Sequence, residues 1–192
     1  MKHLLTLFLL VCFAVTAAGQ SVSELLRKAE AGDAEAQFNL GVCYADGQDY
    51  EKAAYWYRKA AEQELVEAQY NLGVYYAYGY GVSQDYSQAV YWYRKAAEQG
   101  NAPAQFKLGS CYADGQGVSQ DKLQAAYWYK QAAEQGLAEA QCKLGMLYAL
   151  GEGVEIDIKQ AIYWLEISAG QGNKVAKLAL DTVKGWLGGY QE

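Results

Sequence analysis

Ala36-Gln37-Phe38-Asn39-Leu40-Gly41, Ala68-Gln69-Tyr70-Asn71-Leu72-Gly73, Ala104-Gln105-Phe106-Lys107-Leu108-Gly109 and Ala140-Gln141-Cys142-Lys143-Leu144-Gly145 recur along the chain at spacings of 32, 36 and 36 residues. A fixed period of this length marks a chain built from one supersecondary unit stacked on the next. A second string follows each of the first. It reads Tyr55-Trp56-Tyr57-Arg58-Lys59-Ala60-Ala61, Tyr91-Trp92-Tyr93-Arg94-Lys95-Ala96-Ala97, Tyr127-Trp128-Tyr129-Lys130-Gln131-Ala132-Ala133 and, diverged, Tyr163-Trp164-Leu165-Glu166. The pairing divides the chain into repeats over 33–64, 65–100, 101–136 and 137–172. The first repeat lacks the residues that correspond to Gly117-Val118-Ser119-Gln120, so its inner loop is expected to be tighter.

Within each repeat the apolar residues recur at helical spacing. Ala36, Leu40 and Tyr44 share one face of a first helix, and Ala53, Trp56, Tyr57, Ala60 and Ala61 share one face of a second. The predicted unit is a pair of antiparallel helices. Glycines 47, 79, 115 and 151 stand where the first helix must end, and glycines 100, 136 and 172 where the second must end. Asp85-Tyr86-Ser87-Gln88, Asp121-Lys122-Leu123-Gln124 and Asp157-Ile158-Lys159-Gln160 read as capping boxes that open the second helix. Gly41, Gly73, Gly109 and Gly145 each cost helix propensity, about 1 kcal/mol, which predicts close approach of a neighbouring helix as compensation.

Outside the repeats, residues 20–32 read as a lone second helix and residues 173–192 as a lone first helix with a tail, half-repeats that would cover the apolar ends of a stack. Residues 1–19 read as a secretory signal: Lys2 precedes the apolar run Leu4 to Val15, and Thr16, Ala17, Ala18 and Gly19 supply a cleavage region. The run is shorter than the roughly 20 residues of a membrane span, so export to the periplasm or beyond is expected, with no membrane span after cleavage. The composition, 52% hydrophobic and 20% charged, is that of a folded protein. Without Lys2, 15 basic residues face 22 acidic ones, a net charge of −7 that disfavours nucleic acid and acidic membranes. The single histidine, His3, lies in the signal, which removes the usual zinc ligand and neutral-pH base from the remainder.

The strings Ala-x-x-x-Leu-Gly, Tyr-x-x-Gly-x-Gly-Val, Asp, Ala and Trp-Tyr-x-x-Ala-Ala-x-x-Gly, met over residues 33–172, resemble the Sel-1-like repeat family, a relative of the tetratricopeptide repeats. The resemblance implies an all-α solenoid, a right-handed superhelix of helix pairs. It also implies an adaptor role toward protein partners, and export in many bacterial members. Cysteine-rich exported members are expected to join the two helices of each repeat by a disulfide. This chain departs from them, because its second helices carry no cysteine. Cys43 and Cys111 occupy equivalent positions two repeats apart, too far to bond. Cys111 and Cys142 fall in adjacent repeats and leave two readings open, a disulfide or small buried hydrophobes.

The recurring tyrosines and tryptophans read as packing positions. Binding is expected instead where the repeat does not fix the residue, on a first-helix face that lies in the concave groove of tetratricopeptide-like stacks. That face carries Glu35, Asn39, Val42 and Asp46; Glu67, Asn71, Val74 and Tyr78; Pro103, Lys107, Ser110 and Asp114; and Glu139, Lys143, Met146 and Leu150. The candidate partner-binding residues are Asn39, Val42, Asn71, Val74, Tyr78, Lys107, Ser110, Lys143 and Met146, and the expected ligand is a protein or peptide. The competing class is a serine-dependent β-lactam-binding enzyme or amidase, for which Ser119-Gln120-Asp121-Lys122 fits Ser-x-x-Lys. It falls in a loop, its aspartate doubles as a helix cap, and the companion Ser-Asp-Asn and Lys-Thr-Gly elements do not occur. Glu152, Glu155 and Asp157 cluster without a second carboxylate set opposite and without calcium-loop order, so neither catalysis nor a cofactor is expected there.

Overall fold

The computed structural model describes residues 22–188, all of whose regular structure is helical; the signal read at 1–19 lies outside them. Ten helices occur among the described residues: α1 Val22–Glu30, α2 Ala34–Asp46, α3 Tyr50–Glu62, α4 Val66–Tyr78, α5 Tyr86–Glu98, α6 Ala102–Asp114, α7 Lys122–Glu134, α8 Ala138–Leu150, α9 Ile158–Gly170 and α10 Lys174–Gly188. None is long and apolar enough to cross a membrane. The chain divides into two compact units, Met1–Ala96 and Ala97–Glu192.

In the first unit α1, α2, α3 and α4 pack each on the next, and Tyr93 of α5 lies against Gly73 of α4. The core is mostly alanine and leucine, with Ala53, Ala60, Ala68 and Leu72 at its centre and Tyr57 filling the space between helices. Small residues on the second helix let the backbones approach, and buried rings, Tyr57 in the first repeat and Tyr75, Trp92 and Tyr93 in the second, fill what remains. In the second unit α6 to α10 pack consecutively around Ala125, Ala132, Ala140 and Leu144, and α10 also touches α8.

The close approach predicted at the Leu-Gly step is present. A Cβ on Gly41, Gly73, Gly109 or Gly145 would stand 2.6–2.8 Å from Tyr57, Tyr93, Tyr129 or Leu165, the second-helix residue of the same repeat. Asp85, Asp121 and Asp157 accept from the second or third amide of the helix they open, as capping requires. The return bond from the box glutamine is not formed among the described residues. Gln84 and Gln120, just before the cap, donate instead to the carbonyls of Ala77 and Ala113 and tie the loop to the end of the first helix.

Two details differ from the sequence reading. The third core position of the first helix is Cys43, Tyr75, Cys111 and Leu147, all buried, while Tyr44 is half-buried at the edge. Gly79, Gly115 and Gly151 end their helices in the left-handed region, but Gly47 does not. The shorter loop of the first repeat moves the left-handed residue on to Gln48, at φ 62°.

Candidate protein-binding faces

The repeat fixes a buried polar ladder that the sequence reading did not assign. Gln37, Gln69, Gln105 and Gln141 are buried, and each donates from Nε2, at 3.0–3.4 Å, to the carbonyl of Ala29, Ala61, Ala97 or Ala133. Those carbonyls belong to the last turn of the preceding second helix, where helical partners run out. The glutamine side-chain oxygen then accepts from Gln63, Gln135 and Gln171 in three of the repeats, at 2.7–2.8 Å. Each seam between a second helix and the first helix that follows it is thereby specified by hydrogen bonds as well as by alanine packing. The signal was in the sequence: an amide repeated without exception beside the core alanine.

Of the candidate binding residues in the first unit, Asn39 and Tyr78 are exposed, and Val42, Asn71 and Val74 are half-buried. Asn71 is held from below, since its side chain is hydrogen-bonded to the Tyr57 hydroxyl, which also bonds Tyr75. Burial pushes the Tyr57 phenol well above its ordinary range and Tyr75 up to about 12, so both are neutral donors at any physiological pH. Neither is a base or nucleophile.

In the second unit Lys143 is exposed, and Lys107, Ser110 and Met146 are half-buried. Ser110 Oγ donates to the Phe106 carbonyl at 3.0 Å and accepts from the Tyr129 hydroxyl at 3.2 Å, so it braces the helix pair rather than standing free. Lys143 and Met146 line hollows on this face. One, of about 540 Å³, takes in Phe106, Glu139, Lys143, Met146 and Asn173. The other, of about 310 Å³ and almost wholly apolar, lies between α8 and α10 and is lined by Met146, Leu150, Val175, Leu178 and Trp186. Met146 and Val175 belong to both. The α10 contribution was missed because helical period alone does not tell which apolar residues of a lone helix remain uncovered.

The outward tyrosines of the second helices, Tyr55, Tyr91, Tyr127 and Tyr163, are about half exposed. Each stands edge-on to the tryptophan that follows it, with centroids 4.9–5.0 Å apart. Cys43, Cys111 and Cys142 are free and buried, so the disulfide reading is set aside for Cys111 and Cys142. Burial raises the Cys111 thiol to about 11 and the Cys142 thiol in the same direction, which leaves them protonated and unreactive. Ser119 lies in an exposed loop, and the Lys122 ammonium that would activate it pairs with Glu152 at 3.0 Å.

Residues 34–65, 66–101, 102–137 and 138–173 each match the Sel1 repeat. The chain belongs to the Sel1 repeat family. Among solved structures, the fold is similar to a protective antigen of uropathogenic Escherichia coli that displays an SLR fold, at 37% identity and a TM-score of 0.82 over 93% of this chain. It is also similar to a Sel1 repeat protein from Oxalobacter formigenes, at 40% identity and a TM-score of 0.73 over 79% of this chain. The Sel1 chain spans 40% of the first of these proteins and 64% of the second. No curated protein matches it. Sel1 repeat proteins generally act as protein-interaction scaffolds.

Proposed function

We propose that this Sel1 chain is an exported, non-enzymatic scaffold that binds a protein or peptide partner through the solvent-facing side of its first helices. The observation that carries the proposal is a contrast within the repeats. Four buried first-helix columns are identical throughout, the alanine, glutamine, leucine and glycine of Ala36, Gln37, Leu40 and Gly41 and their equivalents, whereas the outer positions change: Asn39, Asn71, Lys107, Lys143; Val42, Val74, Ser110, Met146; Asp46, Tyr78, Asp114, Leu150. Architecture holds the first set constant and leaves most of the second free to vary, Asn71 and Ser110 being the two tied to a second-helix tyrosine. The outward tyrosines of the second helices are invariant and packed on tryptophan, as expected of structural residues. A surface that reads a partner must vary along its length.

Export rests on residues 1–19 and accords with the likeness to an antigen. The non-enzymatic part rests on neutral, buried phenols and thiols and on a Lys122 already engaged by Glu152.

Affinity capture from envelope and culture-surface extracts, with the mature chain and a Lys107→Glu/Lys143→Glu variant, tests the reading. A protein enriched by the native chain and lost with the variant supports it. Equal recovery of that protein by both removes these lysines from the site and points to the tyrosines at 55, 91, 127 and 163. Saturable covalent labelling by a penicillin, abolished in Ser119→Ala, would favour the enzyme class instead.

A further inference from the structure

Three tyrosines of the first unit stand where the repeat does not ask for them. The position of Tyr75 is Cys43, Cys111 and Leu147 in the other repeats; that of Tyr78 is Asp46, Asp114 and Leu150; that of Tyr80 is Gln48, Gln116 and Glu152. They gather with Tyr50 into one aromatic cluster. Tyr80 stacks with both Tyr50 and Tyr78, with centroids 5.4 and 5.6 Å apart and planes 25° and 18° apart, and Tyr75 meets Tyr50, Tyr57 and Tyr80 edge-on from beneath. Tyr75 is only 7% exposed, but Tyr78, Tyr80 and Tyr50 are 55%, 43% and 39% exposed. The cluster is therefore a platform with a buried base and an open top.

One edge of the platform is held by a close backbone contact. Gly81, at φ +62°, presses its Cα against the backbone of Tyr50, where any side chain would collide with the Tyr50 carbonyl. The equivalent seam of the second unit has the same glycine device, Gly153 against Lys122, yet is closed by the ion pair of Lys122 and Glu152. Closing a seam thus does not require aromatic rings, and an ion pair at this place leaves no apolar surface behind.

The chemistry that fits the platform is cationic. The two first helices of this unit, α2 and α4, carry Glu35, Asp46 and Glu67 and no lysine or arginine. The Asp46 carboxylate lies close enough to raise the phenols of Tyr57 and Tyr75 electrostatically, and no ion-pair partner for it is present among the described residues. Four of the unit's own cations already sit over tyrosine faces: Lys52 over Tyr44, Arg58 over Tyr76, Lys59 over Tyr55 and Lys95 over Tyr91. None stands over Tyr50, Tyr78 or Tyr80. Tyrosine faces carry negative quadrupole potential, and a guanidinium both stacks on such a face and pairs in plane with a carboxylate.

Resting on the scaffold reading and specifying its partner, we propose that the Tyr50, Tyr78 and Tyr80 platform with Asp46 is a docking site for an arginine-bearing segment of a protein partner. Arginine fits better than lysine because its flat, weakly hydrated head can use ring and carboxylate together.

Blocked decapeptides of glycine and serine carrying two arginines, titrated into the mature chain at physiological ionic strength, supply the test. Counterparts in which lysine, citrulline or proline replaces arginine provide the comparison, and tyrosine ring resonances report binding. Arginine is expected to bind most tightly and citrulline weakly. Tyr78→Ala and Asp46→Asn should each weaken arginine binding by roughly two- to fivefold, and Tyr78→Phe should retain it, because the face and not the hydroxyl is used. Both positions are exposed, so helical content should be unchanged. Equal binding of arginine and citrulline peptides, a preference for proline, or arginine binding indifferent to Tyr78→Ala and Asp46→Asn would overturn the proposal. Lys107→Glu/Lys143→Glu, which tests the scaffold reading by capture, should leave the arginine peptides unaffected, so either idea can fail without the other.

Discussion

A methyl group on Gly109 would stand 2.8 Å from Cδ1 of Tyr129, a ring that is itself buried against α6. Gly109→Ala is therefore expected to cost about 1–3 kcal/mol by overpacking, despite the better helix propensity of alanine. A lowered urea midpoint with unchanged slope would register it. Glu64 poses the opposite case. It takes the left-handed conformation, φ 66°, at the helix end where the other repeats have Gly100, Gly136 and Gly172. Glu64→Gly should stabilise by about 1 kcal/mol, and a fall in melting temperature would contradict that reading. The phenol of Tyr75 is raised from 10.0 to about 12 by burial. A raised pKa means that stability is intact below pH 10.0 and is lost as pH rises through about 12. Tyr75→Leu, the residue of the fourth repeat, should shrink that alkaline loss in denaturation curves measured across the interval.

At the scale of the element, the stability of a helix pair rests on how its open ends are satisfied. Gln105→Ala would remove one of the two bonds to the Ala97 carbonyl, which keeps the Gly100 amide, together with the acceptor of the exposed Gln135 amide, at a cost of about 0.5–1.5 kcal/mol. A loss no larger than that of an exposed glutamine, such as Gln116, would show that water replaces both bonds. Helix pairing, caps and close-approach glycines were legible in the sequence, because each follows from local chemistry repeated at a fixed period. Tyr44 was placed in the core by a spacing of four, but the helix turns Cys43 inward, since one inner face must serve both the preceding helix and its own partner. Helical spacing alone puts Asn71 and Ser110 among the candidate binding groups. That their second-helix partners are Tyr57 and Tyr129 depends on packing between helices, which periodicity does not reach. Tyr50 and Tyr80 carry no periodic signal, because one opens a helix and the other lies in a loop, so neither belongs to the outer face of a first helix.

The two units of the chain present different chemistry on the same repeated frame. In the first, the outer side of the first helices is acidic and aromatic. In the second, it carries Lys107 and Lys143 and borders the apolar hollow of Met146, Leu150, Val175 and Leu178. Leu178→Glu, at a side chain 70% exposed, should leave folding intact and weaken a partner that uses the hollow, readable as a faster dissociation rate of the captured protein. The frame and the variation were both visible in the sequence, as constant and changing columns of one repeat. The identity of the partner was not, because a scaffold's specificity resides in surface chemistry that the fold does not constrain. The most direct test of the scaffold account is a hydrogen-exchange and side-chain labelling footprint of the captured partner on the mature chain. The account predicts protection of exposed side chains on α2, α4, α6 and α8. Protection confined to the tyrosines at 55, 91, 127 and 163 on the second helices would contradict it.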